Sequence, residues 1–167
     1  NIIRNAEYES NAQAAYCGAF EDAVNGVSLR YSARGASAVM AADVLTAIAW
    51  GATQATHTFN AMRGLHHREP GTVGAVLAQP EVVCEIIADG VHLDPLIVKL
   101  IVAAKGASGA VLITDAIEGA AMPDGEYTLG GQQVFVKDGT AAFADGTLAG
   151  SVLTMNRAFV NVMGFAH

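Results

Sequence analysis

Three apolar stretches of the chain each end in side chains able to move protons or bind a metal. Ala52 to Phe59 carries His57 within Ala55-Thr56-His57-Thr58-Phe59. Val82 to Ile87 leads into Ala88-Asp89-Gly90-Val91-His92, and Ala110 to Thr114 leads into Asp115. His57 reads either as a strand histidine satisfied by backbone or as a neutral imidazole ligand to a metal. Asp115 reads either as a turn or capping aspartate or as a catalytic carboxylate. In the second role it takes a proton from an activated water and passes it to a leaving amine. His92 is a core histidine or a hydrogen-bond partner for substrate, with Asp89 and Gly90 forming a tight polar exit from the strand.

A second group has the chemistry of anion binding. Arg68 lies in His66-His67-Arg68-Glu69-Pro70-Gly71. It is either a solvated loop arginine paired with Glu69 or a bidentate holder of a phosphate. Asn60 and Ala61, just after His57, offer an amide and a backbone N–H to the same anion. The segment Asp145-Gly-Thr-Leu148-Ala149-Gly150-Ser151 either makes a turn before a helix or lets a ligand approach backbone at a helix N-terminus.

Positioning these groups requires alternating strands and helices. The pattern predicts a helix over Asn11–Val24, a short strand over Val27–Leu29, a helix over Ala38–Trp50 and a strand over Ala52–Phe59. A long polar loop, Asn60–Gly74, overlaps the start of a short helix at Val73–Leu77. A strand over Val82–Ile87 follows, then a helix over Pro95–Lys105 with Asp94 as N-cap and Gly106 as stop, and a strand over Ala110–Thr114. Strand, polar end and helix repeat with a period of about 30 residues, the signature of right-handed βαβ units with parallel strands. An open doubly wound sheet and a closed barrel both satisfy it. Residues 126–147 change to short strands around the turn signals Asp138-Gly139 and Asp145-Gly146, a β insertion. Ser151–Met163 resumes as a helix. The three polar strand ends lie on the face where parallel α/β folds bind ligands, so His57 and Asp115 are expected to share a pocket.

Composition narrows the function classes. The 167 residues are 52% hydrophobic, so a sizeable core can be buried. The net charge is −7, from 16 acidic and 9 basic residues, and no basic stripe suggests nucleic acid. No apolar run reaches the roughly 18 residues of a membrane span. Cys17 and Cys84 form neither a disulfide framework nor a zinc clip and read as reduced thiols of a cytoplasmic protein. The start at Asn1, with neither Met nor an apolar signal core, reads as a fragment.

Taken in order, Thr56-His57-Thr58-Phe59-Asn60-Ala61-Met62, His67-Arg68-Glu69-Pro70-Gly71, Ile87-Ala88-Asp89-Gly90-Val91-His92, Leu112-Ile113-Thr114-Asp115-Ala116 and Gly146-Thr147-Leu148-Ala149-Gly150-Ser151 resemble N-acetylglucosamine-6-phosphate deacetylase, of the amidohydrolase superfamily. The resemblance covers about residues 27 to 164. It implies an α/β fold, part of a metal-dependent (β/α)8 TIM barrel, with the small β insertion near its C-terminal end and the family's flanking β domain absent. The whole chain, 1–167, is then a single barrel fragment whose residues 1–26 are poorly defined. The implied reaction is removal of acetate from N-acetylglucosamine 6-phosphate in amino-sugar catabolism. By resemblance, His57 holds a divalent metal, zinc by expectation, and Asp115 is the general base and acid. Asn60, Ala61 and Arg68 bind the sugar phosphate. Asp89, Gly90, Val91 and His92, with Leu148, Ala149 and Gly150, line the sugar pocket.

The chain departs from the family at the other metal ligands. Members carry a histidine in a Gly-His-Ser/Thr motif after the strand read here at Val27–Leu29. Depending on the alignment, Tyr31 or Ala36 stands in its place. None of Glu7, Glu9 and Glu21 sits in the motif of the family's upstream glutamate ligand. These departures leave room for a sugar-phosphate-binding remnant without catalysis. The motifs equally admit a deacetylase of the N-acetylgalactosamine 6-phosphate epimer. A cyclic-amide hydrolase of the same superfamily would leave Asn60, Ala61 and Arg68 without a purpose. A half barrel exposes strand edges, which leads to the expectation of a homodimer.

Overall fold

The computed structural model describes residues 29–31, as backbone, and residues 41–166. The expected helix Asn11–Val24 lies outside them, as do Cys17, Val27, Ser28 and Ala36. The elements in chain order are β1 (Leu29–Tyr31), α1 (Ala41–Ala49), β2 (Ala52–Ala55), α2 (Gly71–Ala78), β3 (Val83–Ile86), α3 (Pro95–Gly109), β4 (Ala110–Leu112), β5 (Gly125–Leu129), β6 (Gln132–Lys137), β7 (Thr140–Ala142) and α4 (Met155–Phe165). They fall into two compact units, residues 1–85 with 104–111 and residues 86–103 with 112–167.

The first unit carries a sheet in the order β1-β2-β3-β4, whose last residues in β3 and β4, Ile86 and Leu112, belong to the second unit. β1 and β2 are parallel, as are β2 and β3, with Tyr31 opposite Ala55 and Ala55 opposite Cys84. Cys84 and Glu85 of β3 are both buried, as expected of a parallel strand covered on both faces. The alanine-rich α1 buries Val44 and stops at Gly51, whose φ of 104° suits glycine alone. α2 buries Thr72, Val73, Ala75 and Val76. Its C-terminal end is tied down by Lys105, whose Nζ donates to the carbonyls of Val76 (3.0 Å) and Gln79 (2.5 Å), a favourable placement for a cation.

The second unit has two apolar centres. One packs Ile87, Leu153 and Ala158 with Leu112 and Ile113. The other packs Ile117, Val134, Val136, Ala141 and Ala149 under the antiparallel sheet β5-β6-β7. That sheet forms where the short strands were expected, and Asp138 and Gly139 make its second turn with φ of 50° and 78°, as a tight hairpin requires. Asp94 Oδ1 accepts from the Leu96 N–H at 2.8 Å, so the expected N-cap of α3 is present. Gly106 (φ 65°) interrupts α3 where the stop was expected.

Strands β3 and β4 are each two residues shorter than their patterns suggest, and β2 and α4 are also shorter. β2 ends at Ala55 because the backbone turns at once: His57, Phe59 and Ala61 adopt φ of 30°, 77° and 53°, which no pleated strand accommodates. α4 begins at Met155, four residues later than expected. Ser151 is instead paired in parallel with Ala116, and its Oγ accepts the Leu153 N–H at 3.1 Å.

Candidate active site

In the first unit, β2 delivers a tight turn carrying His57. Register with Cys84 fixes Ala55, which is fully buried, and the chain then doubles back over Thr56–Asn60. Thr58 N–H donates to the Glu85 carbonyl at 2.9 Å, and Thr58 Oγ1 to the Ala55 carbonyl at 3.3 Å. Asn60 closes the turn, its N–H reaching the His57 carbonyl at 2.9 Å and its Nδ2 the same oxygen at 3.2 Å. Phe59 N–H points to Met62 Sδ at 3.4 Å. Three non-glycine residues with left-handed backbone cost roughly 1–3 kcal/mol each and persist only where surroundings over-determine them.

A buried carboxylate from the neighbouring strand does much of this. Glu85 is 5% exposed. Its Oε1 accepts from Gln54 Nε2, and its Oε2 from Thr56 Oγ1 at 2.6 Å and from the His57 N–H at 3.4 Å. The His57 ring is half-buried, and its Nδ1 is buried with no hydrogen-bond partner among the described residues. A histidine satisfied by backbone would show the opposite.

The anion-binding candidates follow in the loop before α2. Ala61 and Arg68 are exposed, and Arg68 N–H reaches His66 Nδ1 at 3.3 Å. Glu69 pairs with Arg63 (3.2 Å) rather than with Arg68. Asn60 Nδ2 is engaged with the turn's own carbonyls.

In the second unit, Asp89 organises the exit from β3. Its Oδ1 accepts from the N–H groups of Val91 and His92, both at 2.8 Å, and its Oδ2 meets His92 Nδ1 at 2.6 Å. Burial pushes the Asp89 carboxyl up, but the bonds from the His92 side chain and from the His92 and Val91 backbone outweigh it, holding the carboxyl below its ordinary value. An ionised carboxylate only accepts, so Nδ1 donates and Nε2 is the nitrogen left for other chemistry. Asn161 of α4 fixes the same exit through Nδ2 to the Ala88 carbonyl at 2.8 Å. Gly90 (φ 81°) and Val91 are exposed at its tip.

Asp115 also sits on left-handed backbone, with φ 47°, and its side chain is exposed. Its carbonyl accepts the Ser151 N–H at 2.8 Å, the Ser151 carbonyl accepts the Ile117 N–H at 2.9 Å, and Ser151 Oγ donates to the Thr114 carbonyl. Gly150 makes this approach possible: at φ 71°, a Cβ there would lie 2.8 Å from Ile117 Cγ2 and 3.0 Å from the Asp115 carbonyl oxygen. Of the expected pocket residues beside it, Leu148 is exposed, whereas Ala149 is a core residue packed with Ile117 and Val134.

Comparison with known proteins places this geometry in a family. The chain is 52% identical over 106 residues to N-acetylglucosamine-6-phosphate deacetylase of Bacillus subtilis strain 168, covering 64% of this chain and 27% of that protein. It is 45% identical over 113 residues to N-acetylgalactosamine-6-phosphate deacetylase of Escherichia coli O157:H7, covering 68% and 30%. It superposes with a TM-score of 0.82 at 34% identity on a mutant N-acetyl-D-glucosamine-6-phosphate deacetylase of Mycobacterium smegmatis in complex with N-acetyl-D-glucosamine-6-phosphate. That match spans 96% of this chain and 40% of the other. Curated relatives at 47–52% identity and the solved structures it superposes on are N-acetylglucosamine-6-phosphate deacetylases, and the chain matches part of their length. No protein-family model matches it. The chain spans less than a third of the length of the curated Bacillus deacetylase.

Within this chain the metal question turns on His57. No group of three or more His, Cys, Asp or Glu among the described residues is placed to hold a metal. The buried Nδ1, unpartnered among the described residues, nonetheless fits one ligand of a set, because buried imidazole nitrogens otherwise find a partner. Sequence reasoning missed Glu85 and Ser151. Glu85 had a signal: an acidic residue inside the apolar run Val82-Val83-Cys84-Glu85-Ile86-Ile87 must be buried with donors around it. Ser151 had none, since its role depends on Gly150 allowing residues 114–117 to come alongside.

Proposed function

We propose that this chain is part of a metal-dependent amide hydrolase that removes acetate from N-acetylglucosamine 6-phosphate, giving glucosamine 6-phosphate in amino-sugar catabolism. The observation that carries it is the His57 imidazole, on a strained turn, with a buried Nδ1 that has no hydrogen-bond partner among the described residues. His57 would hold a divalent metal, zinc being the expected ion, with the remaining ligands supplied from outside the described residues. When bound, such a metal supplies an activated water and polarises the amide carbonyl. Asp115 accepts the proton from the attacking water and returns it to the sugar nitrogen as the amide C–N bond breaks. His92, held by Asp89 through Nδ1, offers Nε2 to the acetyl carbonyl or to a sugar hydroxyl. Arg68, Asn60 and the Ala61 N–H bind the phosphate, and Asp89 to Val91 with Leu148 to Gly150 line the sugar pocket.

The fold proposed for the whole protein is the (β/α)8 barrel. Strands β1 to β4 add in one direction, as barrel strands do, whereas doubly wound sheets reverse order at a switch point. A cytoplasmic homodimer is the expected assembly, and among the described residues no helix is long and apolar enough to cross a membrane.

The relative acting on the galacto epimer, at 45% identity, favours one second reading, a deacetylase of N-acetylgalactosamine 6-phosphate. Acetate release by the full-length protein from both sugar phosphates, measured side by side, separates the two. A protein that binds metal yet frees no acetate from either sugar would leave only sugar-phosphate binding.

A further inference from the structure

We infer that Glu85 is a positioning residue for His57: its buried carboxylate, not the strand pairing alone, holds the left-handed turn that aims the imidazole. This inference rests on the deacetylase reading of His57 given above. The argument begins with cost. A carboxylate at 5% exposure is unfavourable unless donors surround it. The side-chain donors here are Gln54 Nε2 and Thr56 Oγ1, joined by the backbone N–H of His57. They bracket the last residue of β2 and the first two residues of the turn. None of them is adjacent to Glu85 in sequence, so one carboxylate ties three points within residues 54–57 to a strand 28 to 31 residues further along the chain.

The chemistry of the clamp is specific. Toward the carboxylate all three partners donate, and an ionised carboxylate only accepts. Glutamine there gives up the charge that strengthens these bonds and keeps its partners only if the Gln54 amide or the Thr56 hydroxyl turns to accept from its NH2, and an apolar residue would leave all three unsatisfied. Strand stability alone does not ask for this, because a buried charge can often be replaced by packed apolar side chains without loss. What the clamp secures is local: His57 φ of 30°, followed by Phe59 and Ala61 at 77° and 53°. The Thr58 N–H bond to the Glu85 carbonyl anchors the same turn to the same residue through its backbone. Relaxing His57 toward ordinary backbone would swing its ring away from the position in which Nδ1 is buried with no partner among the described residues.

The test uses the full-length enzyme with Zn2+ alone as the probe. Glu85→Gln is expected to weaken Zn2+ binding about 10–100-fold, as loss of a residue orienting a ligand does. It should shift the His57 imidazole NMR resonances in metal-free protein and lower kcat, while KM for the sugar phosphate stays put. The exchange Gln54→Glu with Glu85→Gln restores one acceptor facing one donor and is expected to recover most of the lost affinity. Thr56→Val, which removes one donor at the edge of the clamp, covers the case in which Glu85→Gln does not fold, and should weaken Zn2+ binding in the same direction. Wild-type Zn2+ affinity and unmoved His57 resonances in Glu85→Gln, or in Thr56→Val if that variant alone folds, overturn the inference. His57→Ala separates the two levels: wild-type Zn2+ affinity in that variant removes His57 from the metal, while the resonances in Glu85→Gln still decide whether Glu85 positions the ring.

Discussion

The turns that carry His57 and Asp115 solve one problem in two ways. Each places a non-glycine residue on left-handed backbone within three residues of the end of a strand, at φ 30° and 47°. The His57 turn is held by side chains: Glu85 gathers Gln54, Thr56 and the His57 N–H, and Asn60 caps the turn from the other end. The Asp115 turn is held mainly by backbone, through reciprocal bonds with Ser151 at 2.8 and 2.9 Å, and depends on the missing Cβ of Gly150. Side-chain clamping leaves a turn sensitive to the chemistry of a few distant residues. Backbone clamping leaves it indifferent to most substitutions but intolerant of added volume at one point.

Asp115→Asn should have the largest effect on activity and sharpens the comparison. It removes the proposed proton acceptor without touching the backbone bonds, so kcat should fall about 100–10,000-fold while urea unfolding stays near wild type. A parallel loss of stability would mean that the carboxylate, not the backbone, holds the turn. Gly150→Ala breaks the backbone clamp itself. The φ of 71° and the 2.8 Å approach to Ile117 predict destabilisation of about 1–3 kcal/mol from backbone strain, with the steric clash added, read as a lower urea midpoint at unchanged slope.

Arg68→Ala tests the exposed loop that follows the side-chain-held turn. A lost charge-assisted bond to phosphate is worth about 1.5–3 kcal/mol, so KM should rise roughly 10–100-fold with kcat and Tm little changed. Equal KM values for wild type and variant would remove Arg68 from the phosphate site. The smallest effect concerns Asp89, whose carboxyl is held below its ordinary value. The folded state then binds that proton less readily than the unfolded chain. Its contribution is fully present above the ordinary value of 3.8 and is lost as pH falls through the lower folded value. Stability curves of wild type and Asp89→Asn should therefore converge on acidification below about pH 4. A gap that stayed constant from neutral to acidic pH would show that the hydrogen bonds do not favour the ionised form.

Much of the frame was legible in the chain itself. The alternation of apolar runs with Ala-rich helices marked β2, β3, α3 and β4, and Asp94 marked the start of α3 and Gly106 its interruption, because caps and stops act within a few residues. Asp138-Gly139 marked a hairpin for the same reason. The types of the candidate residues, an imidazole at 57 and a carboxyl at 115, were plain for the same local reason. Less legible were the points where β2 ends and α4 begins. Periodicity continues through Phe59 and Ser151, but hydrogen bonds to residues far along the chain override it there.

Amino-acid order therefore determined which strands and helices form and which reactive groups follow each strand, since propensity, patterning and capping are short-range. Tertiary structure alone decided that Glu85 clamps His57 and that Gly150 lets Ser151 pair beside Asp115. Those outcomes depend on backbone angles and close approaches between segments about 30 residues apart, set by sheet register and burial rather than by neighbours along the chain.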